Sequence, residues 1–591
     1  MTRHFATEVT QHCSSSTIVA RFEERVRATP DRTACFEYSD ARGWTPRSWH
    51  EYAVDVERLR GHLVAKRVGC GTRVGICAPN SYTWETLQMA AWKCGASVAG
   101  FDLHYPTPLL SRLVAQSGVQ VLFVQSAAFA DALPLPTGVQ VVALEGPVHA
   151  GVSTLTAWLQ AGAEASASSL VRPEDEAMVI FSSGTTGDPK PTTYRHEQLV
   201  FAIDAILQKF SDLRDDSRLL CWLPLANLFQ RMVNLCGIVR GATTYLVADP
   251  RTVMARLPEV DPQVFIGVPR FFEKFHQGVV GADNGRRGVR AWTIDHAVRL
   301  AQHRAHAGRQ GRPLPLHVAI SCRLADRWVL RRIRRAFGRS LGYCISGSAP
   351  MPIWLIEWFD AVGVPILEAY GASENIVPIA INTIGCRKIG TVGRPLLPSS
   401  VAIAADGEIV VSGPGVAAAG NTLHTGDVGA FDEDGFLRVT GRKNDLLKSP
   451  NGRWIAPAEV EARLSKVPTV EYAVVFFARG APLTAVVAVS NSRSNAPPTL
   501  ESLRQFGHEL SCALSDLPDY MQVKGVVVIP AHSITVAGGE LTTNLKLRRN
   551  QIAARFAAEL DMLRRTPNET AGKPAGQMAL LITVAGWRVE Q

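Results

Sequence analysis

Several things are missing from this sequence, and each absence excludes a class. The eleven cysteines form no CxxC pair and have no histidine-rich neighbours. A disulfide framework or a zinc site is therefore not expected, and the thiols read as reduced, mostly buried groups of a cytoplasmic protein. No apolar run approaches the roughly 20 residues that span a bilayer. The nearest, MALLITVAGW close to the C-terminus, is too short and reads as a packed or frayed end. The first residues, MTRHFATEVTQHC, hold no apolar stretch of the secretory kind. Charge of either sign is modest: 62 Lys and Arg against 53 Asp and Glu leave +9 over 591 residues. So diffuse an excess does not suit nucleic acid. It suits anionic small molecules or, at most, peripheral contact with an anionic membrane. The densest basic stretch, RRIRRAFGR from Arg331, reads as a solvated helix face, with Val329, Leu330, Ile333 and Phe337 on the apolar side.

What is present is an alternation of strand and helix signals. TRVGICAPN, VQVLFVQ and VQVVALEG read as strands, and SYTWETLQMAAWKCG reads as a helix capped at Gly95. The pattern continues to about residue 440 and predicts an α/β architecture with parallel-type sheets. Beyond it come a helix over PAEVEARLSK, strands over EYAVVFFA, LTAVVAVS and KGVVVIP, and a helix from RRNQIAARFAAELDML. The reading is a large N-terminal α/β domain over 1–441, a small mobile C-terminal α+β domain over 442–565, and an appendage over 566–591.

FSSGTTGDPK, from Phe181 to Lys190, places a Gly/Ser/Thr loop after the strand-like EAMVIF. Leu199, Ile203, Ile206 and Phe210 then recur at helical spacing, so the loop is expected between a strand and a helix. Converging backbone N–H groups and hydroxyls suit phosphate oxygens, although the Walker spacing GxxxxGK[ST] is absent. Alone, this loop reads more readily as an ordinary Gly-rich connection. Glu374 alone reads as a helix-start acid, Asp427 as a turn former, and Lys546 as a surface charge.

In order, however, FSSGTTGDPK, YGASEN, HTGDVG, GRKNDLL with APAEVE, and GELTTNLKLRR resemble the adenylate-forming, AMP-binding superfamily. WLPLANLFQR, IGVPRFFEKF, ISGSAPM and LTTNLKLRR are most similar to its long-chain fatty acyl-CoA synthetases. The resemblance implies that Ser183, Gly184, Thr185, Thr186, Gly187 and Lys190 wrap the outer phosphates of ATP. It puts Gly347, Ser348 and Ala349 on the adenine side and stacks Tyr370 on the base. It assigns Mg²⁺ to Glu374 with Thr186, the ribose to Asp427, and the ribose and phosphate region to Arg442. Lys546 is implied to reach the carboxylate and α-phosphate, with Asn444 as the hinge. The implied reaction is ATP-dependent activation of a medium or long fatty acid, then transfer to CoA. An acyl carrier protein as acceptor, or an aryl or polyketide-like acid as substrate, is the alternative. An alternative of another class is a catalytically weak nucleotide- or acyl-binding protein.

The sequence departs from the family in four places. Pro191 stands where glycine usually follows the lysine, and should stiffen the exit of the loop. Asn227 replaces a usual histidine and Gln230 a frequent glutamate. Asn444 occupies the hinge, and the stretch before His424 is shortened.

Overall fold

The computed structural model describes residues 16–146, 152–160, 170–182, 189–280, 289–309, 314–397, 400–418, 420–443, 447–448, 454–477, 483–490, 499–536, 538–541, 547–565 and 581–584. Ser183, Gly184, Thr185, Thr186, Gly187, Asn444 and Lys546 lie outside the described residues, as do the linker-like residues 566–580. The chain divides into two compact units. One takes Met1–Ala404, Ile409–Thr425 and Phe431–Arg438; the other takes Ala405–Glu408, Gly426–Ala430 and Val439–Gln591.

The first unit is α/β and holds two large sheets. In the seven-stranded sheet the order is 153–154, 140–145, 121–126, 73–77, 97–100, 176–182, 190–195, and all neighbours are parallel except the last pair. The nine-stranded sheet runs 394–395, 380–381, 366–370, 343–346, 264–267, 218–221, 243–246, 33–39, 43–48. Its six strands from 366–370 to 33–39 are parallel, with antiparallel strands at both margins.

The helix Tyr82–Lys93 explains how the two sheets share one core. It is buried nearly all round, with Glu85, Thr86 and Gln88 among its buried residues, so it has no solvent face to keep. Ser81 caps it by accepting the Trp84 N–H at 3.1 Å, and Gly95 closes it at φ +81°. Its Trp84, Leu87 and Trp92 pack in one cluster with Val74 and Ile76 of the first sheet and Leu219 and Ile266 of the second. Trp92 also donates its indole N–H to the Ala177 carbonyl at 2.6 Å. That bond anchors the strand leading into the glycine-rich loop.

The loop does not join a strand to a helix. Lys190–Arg195 is a strand that returns antiparallel along Glu176–Ser182, pairing Ser182 with Lys190 and Phe181 with Pro191. Helix starts only at His196. Thr192, Thr193 and Tyr194 favour an extended backbone, and the 3.6-residue apolar period takes hold only from Leu199. Pro191 therefore sits in the edge strand of its sheet, where a missing N–H is tolerated.

The second unit contains a sheet of Val470–Phe476, Leu483–Val489, Val523–Pro530 and Leu581–Val584. Its first pair is antiparallel and the others are parallel. Residues 581–584, from the apolar run near the C-terminus, are thus a strand paired with Val523–Pro530. The expected last helix is two, Arg549–Arg555 and Ala557–Arg565. Both units draw segments from a further small sheet, of 401–403, 408–412, 422–431 and 437–442.

A buried polar chain crosses the first unit's core. Gln230 is fully buried. Its amide oxygen accepts the backbone N–H of Trp222 at 3.3 Å and of Leu223 at 3.1 Å. Its amide nitrogen donates to Asn234 at 2.9 Å, and Asn234 donates to Glu85 at 2.6 Å. Fully buried Arg231 donates to Gln88 and lies 5.0 Å from the Trp84 ring. Burial pushes the Glu85 carboxyl up, partly offset by Asn234 and by the Arg231 charge. Burial also lowers the Arg231 guanidinium to about 9. Glutamate at 230 could accept but not donate, and it would add a second buried carboxylate beside one arginine. Gln230→Glu is therefore expected to lower stability by about 3 kcal/mol, as a buried acceptor left facing an acceptor costs the desolvation of both. Unchanged urea midpoints would refute this reading of the network.

Candidate active site

The parallel strands of the nine-stranded sheet end side by side. Gly267 pairs with Ser346, and Ser346 pairs with Glu368. Crevices at the carboxyl ends of such strands are where α/β sheets hold ligands. Gly347, Ser348 and Ala349 follow the middle strand at that edge. Gly347 donates to the Gly267 carbonyl at 3.3 Å. A Cβ on it would meet the Phe229 ring at 3.3 Å and the Ala369 carbonyl at 3.5 Å. Ser348, at φ +73°, turns the chain outward, and Ser348 and Ala349 are exposed. This is a backbone ledge open to a flat ligand.

Tyr370 is the last residue of the strand Ile366–Tyr370. The chain then doubles back, with Ala380 pairing antiparallel to Tyr370 and the Ile379 N–H donating to the Tyr370 carbonyl at 2.8 Å. Glu374 lies in that connection, not at a helix start. It is a half-buried carboxylate, its carbonyl accepting the Ala417 N–H at 3.0 Å.

The glycine-rich hairpin is tied to this turn. Tyr194, fully buried on the exit strand, donates its hydroxyl to the Ser373 carbonyl at 2.6 Å. Burial, and then the Glu374 charge, push its phenol well above the ordinary range, so it stays protonated and donating. Gln198 adds a bond to the Pro414 carbonyl at 2.8 Å. Lys190, exposed at the mouth of the hairpin, is thereby held on the same unit as Tyr370 and Glu374. Ser183 to Gly187 and Lys546 cannot be placed, being outside the described residues.

Asp427 and Arg442 belong to the second unit. Asp427 lies within a strand, Thr422–Phe431, and so is not a turn former. It accepts from Arg442 Nε at 3.0 Å. Lys443 next to it holds Asp406 at 2.6 Å and Glu408 at 3.3 Å. The Gly426 N–H donates to Glu408 at 2.9 Å. Asp427 and Arg442 thus orient one another, presenting an acceptor beside a cation.

Tyr194 and Glu368 were not singled out from the sequence. Alternation in KPTTYR was the available signal for Tyr194. An acid inside the otherwise apolar ILEAY was the signal for Glu368. Burial raises the Glu368 carboxyl to about 7, offset in part by the Met351 backbone N–H it accepts. That bond ties the strand to the segment after Ala349. Among the described residues no group of three or more His, Cys, Asp or Glu side chains converges.

The fold binds the Glu368 proton more tightly than the unfolded chain does. Stability contributed here falls as pH rises from the ordinary carboxylate range through about 7. Glu368→Gln, neutral throughout, is expected to flatten that part of the decline in urea midpoints between about pH 5 and 8; identical slopes would refute it. Pro191→Gly is expected to lower stability by about 1 kcal/mol, through a looser unfolded chain and poorer strand propensity.

Residues 22–419 match the family of AMP-binding enzymes. The long-chain-fatty-acid–CoA ligase FadD15 of Mycobacterium bovis is 28% identical over 570 residues, which cover 88% of this chain and 92% of that one. Among solved structures, the anthranilate CoA ligase AuaEII in complex with anthranoyl-AMP aligns with a TM-score of 0.70 at 19% identity, over 94% of this chain and 100% of that one. The O-succinylbenzoate CoA synthetase MenE of Bacillus subtilis, in complex with ATP and magnesium ion, aligns with a TM-score of 0.64 at 19% identity, over 91% and 99%. At that identity these two likenesses concern the fold. The family match runs through about two thirds of the sequence, and the chain belongs to the AMP-binding enzymes.

Proposed function

We propose that this protein activates a medium or long fatty acid with ATP and passes the acyl group to CoA. The observation that carries the reading is the Tyr194–Ser373 bond, which holds the glycine-rich hairpin and the Tyr370–Glu374 turn as one piece. Similarity to long-chain-fatty-acid–CoA ligases over nearly the whole length supports the choice of acid. We assign nucleotide binding to 1–441 and the lid to 442–565.

In this reading Gly347, Ser348 and Ala349 receive the adenine against Tyr370. The loop Ser183–Gly187 and Lys190 hold the β- and γ-phosphates, while Asp427 accepts from the ribose hydroxyls and Arg442 steadies it. Glu374, a half-buried carboxylate, would hold Mg²⁺, a hard cation that takes oxygen ligands and is commonly bound by one or two carboxylates; Thr186 would assist. Bound there, Mg²⁺ supplies charge neutralisation at the phosphates. Lys546 draws the fatty carboxylate to the α-phosphate. A carboxylate oxygen attacks the α-phosphorus, the bond to the bridging oxygen breaks, and pyrophosphate leaves. The thiol of CoA, losing its proton, then attacks the acyl carbonyl and AMP departs. No side-chain nucleophile is required; positioning and charge neutralisation carry the step. An acyl carrier protein's phosphopantetheine would present the same thiol chemistry.

The deciding experiment scores pyrophosphate release over a panel of acids, with CoA, carrier protein or neither. Release should depend on a long-chain acid, and thioester should form with CoA. Lys546→Ala should lower the rate on the order of a hundredfold, and Asp427→Asn should raise KM for ATP. Acid-independent release, or release unaffected by Lys546→Ala, would defeat the proposal. Thioester formed only on carrier protein would change the acceptor.

A further inference from the structure

The helix Val289–Arg309 and the helical run from Leu316 to Phe337 present an unusual outward face. Leu316, Ile320, Leu324 and Trp328 recur every fourth residue and are 78%, 47%, 53% and 61% exposed. Cys322, on the other side of the same run, is buried, with its thiol 3.4 Å from the Leu300 carbonyl. So the run packs by one side and shows an apolar stripe on the other. Trp292 is 62% exposed and stacks flat on His296, ring centres 5.3 Å apart. The two helices meet where the Cys322 thiol approaches the Leu300 carbonyl.

Basic residues dominate the run, and the exposed acid of the preceding helix, Asp295, is paired with Arg299. Residues 314–340 contain seven arginines and one acid, Asp326. Asp326 is already held by Arg334 at 2.8 and 3.0 Å. Arg323, Arg327, Arg331, Arg332 and Arg335 are exposed, along or just beyond the stripe.

We propose that this face docks on a lipid bilayer bearing anionic headgroups. Leucine, isoleucine and tryptophan on one side of a helix, bordered by arginine, match a helix lying in the plane of the interface. Tryptophan favours the headgroup level, and each basic residue near such a surface adds attraction that salt weakens. A second copy is a poorer occupant, because a two-fold contact would set the arginines of each against the other. Nucleic acid would leave the apolar stripe facing phosphate. Docking rests on this face alone. Its consequence, uptake of acyl substrate from the bilayer, rests on the proposed fatty-acid reading.

The test uses the full chain and phosphatidylcholine vesicles with and without phosphatidylglycerol, sedimented at low and high salt. The wild type should bind only the anionic vesicles, and high salt should release it. Arg327→Gln with Arg331→Gln, and separately Ile320→Ser with Leu324→Ser, should each weaken binding by at least roughly tenfold. Both should keep the wild-type melting temperature and the wild-type pyrophosphate release with a long-chain acid supplied in solution without vesicles. Absence of wild-type binding, or binding unchanged in both variants, would overturn the proposal. So would a dimer seen by light scattering that the Ile320/Leu324 variant splits while vesicles go unbound. If docking fails while pyrophosphate release still requires a long-chain acid, only the docking proposal falls.

Discussion

One hydrogen bond, from Tyr194 to the Ser373 carbonyl at 2.6 Å, decides where the candidate site can be. The glycine-rich hairpin belongs to the seven-stranded sheet, and the Tyr370–Glu374 turn belongs to the nine-stranded sheet. Sheet packing alone would bring them to the same region with the slack of a side chain. A phenol buried to zero exposure has no water to fall back on, so losing its partner costs about 1–3 kcal/mol. The hairpin is held against the turn by that penalty. Burial and the nearby Glu374 charge keep the phenol protonated, so the tether does not depend on pH in the neutral range. The Trp92 bond to Ala177 fixes the other strand of the hairpin to the core. Both strands that flank the loop are therefore anchored.

The departures from the family pattern look different once their surroundings are known. Pro191 does not stiffen a loop exit; it occupies an edge strand opposite Phe181, where a fixed φ suits the extended backbone. Gln230 is not a weakened acid. Glu85 supplies the carboxylate of that buried chain, and Gln230 is needed as the group that both accepts from Trp222 and Leu223 and donates to Asn234. Asn227 precedes the helix Leu228–Arg240, at its cap, and its N–H donates to Pro224 at 2.9 Å. These changes are compatible with a sound fold. They no longer favour a weakened catalyst over a working one.

The α/β class was legible because its signals are local. Strands such as Arg73–Cys77 and the helix at Tyr82 announce themselves by period and caps. Tyr370 at a strand end was legible for the same reason. The hairpin was not, because TTYR is four residues and the helical period beginning at Leu199 overshadowed it. Glu374 and Asp427 had plausible local explanations, a helix start and a turn, that only the strand pairing removed. The network of Glu85, Gln230 and Asn234 was invisible because Glu85 is far in sequence from the other two and joined to them only by hydrogen bonds in the core. Lys546 and Asn444 still rest on the resemblance, since they lie outside the described residues.

The arginine-rich run shows why pattern alone mistakes some surfaces. Leu330, Ile333 and Phe337 are buried and Arg331, Arg332 and Arg335 between them exposed, as the amphipathic pattern predicts, while Arg334 is half-buried against Asp326. The same rule applied upstream would send Leu316, Ile320 and Leu324 inward, since apolar period is ordinarily the signature of a core face. They point outward because the opposite side, centred on Cys322, already meets the preceding helix. A helix can satisfy only one neighbour with one side; a second apolar stripe is surplus to folding. Surplus of that kind exposes oil to water, a standing cost that the fold itself does not require. Its coincidence with five exposed arginines gives the stripe a physical rationale at a surface that is apolar beneath and anionic above. The constraint on these residues is then set outside the molecule, which is where a reading confined to the chain's own packing loses sight of them.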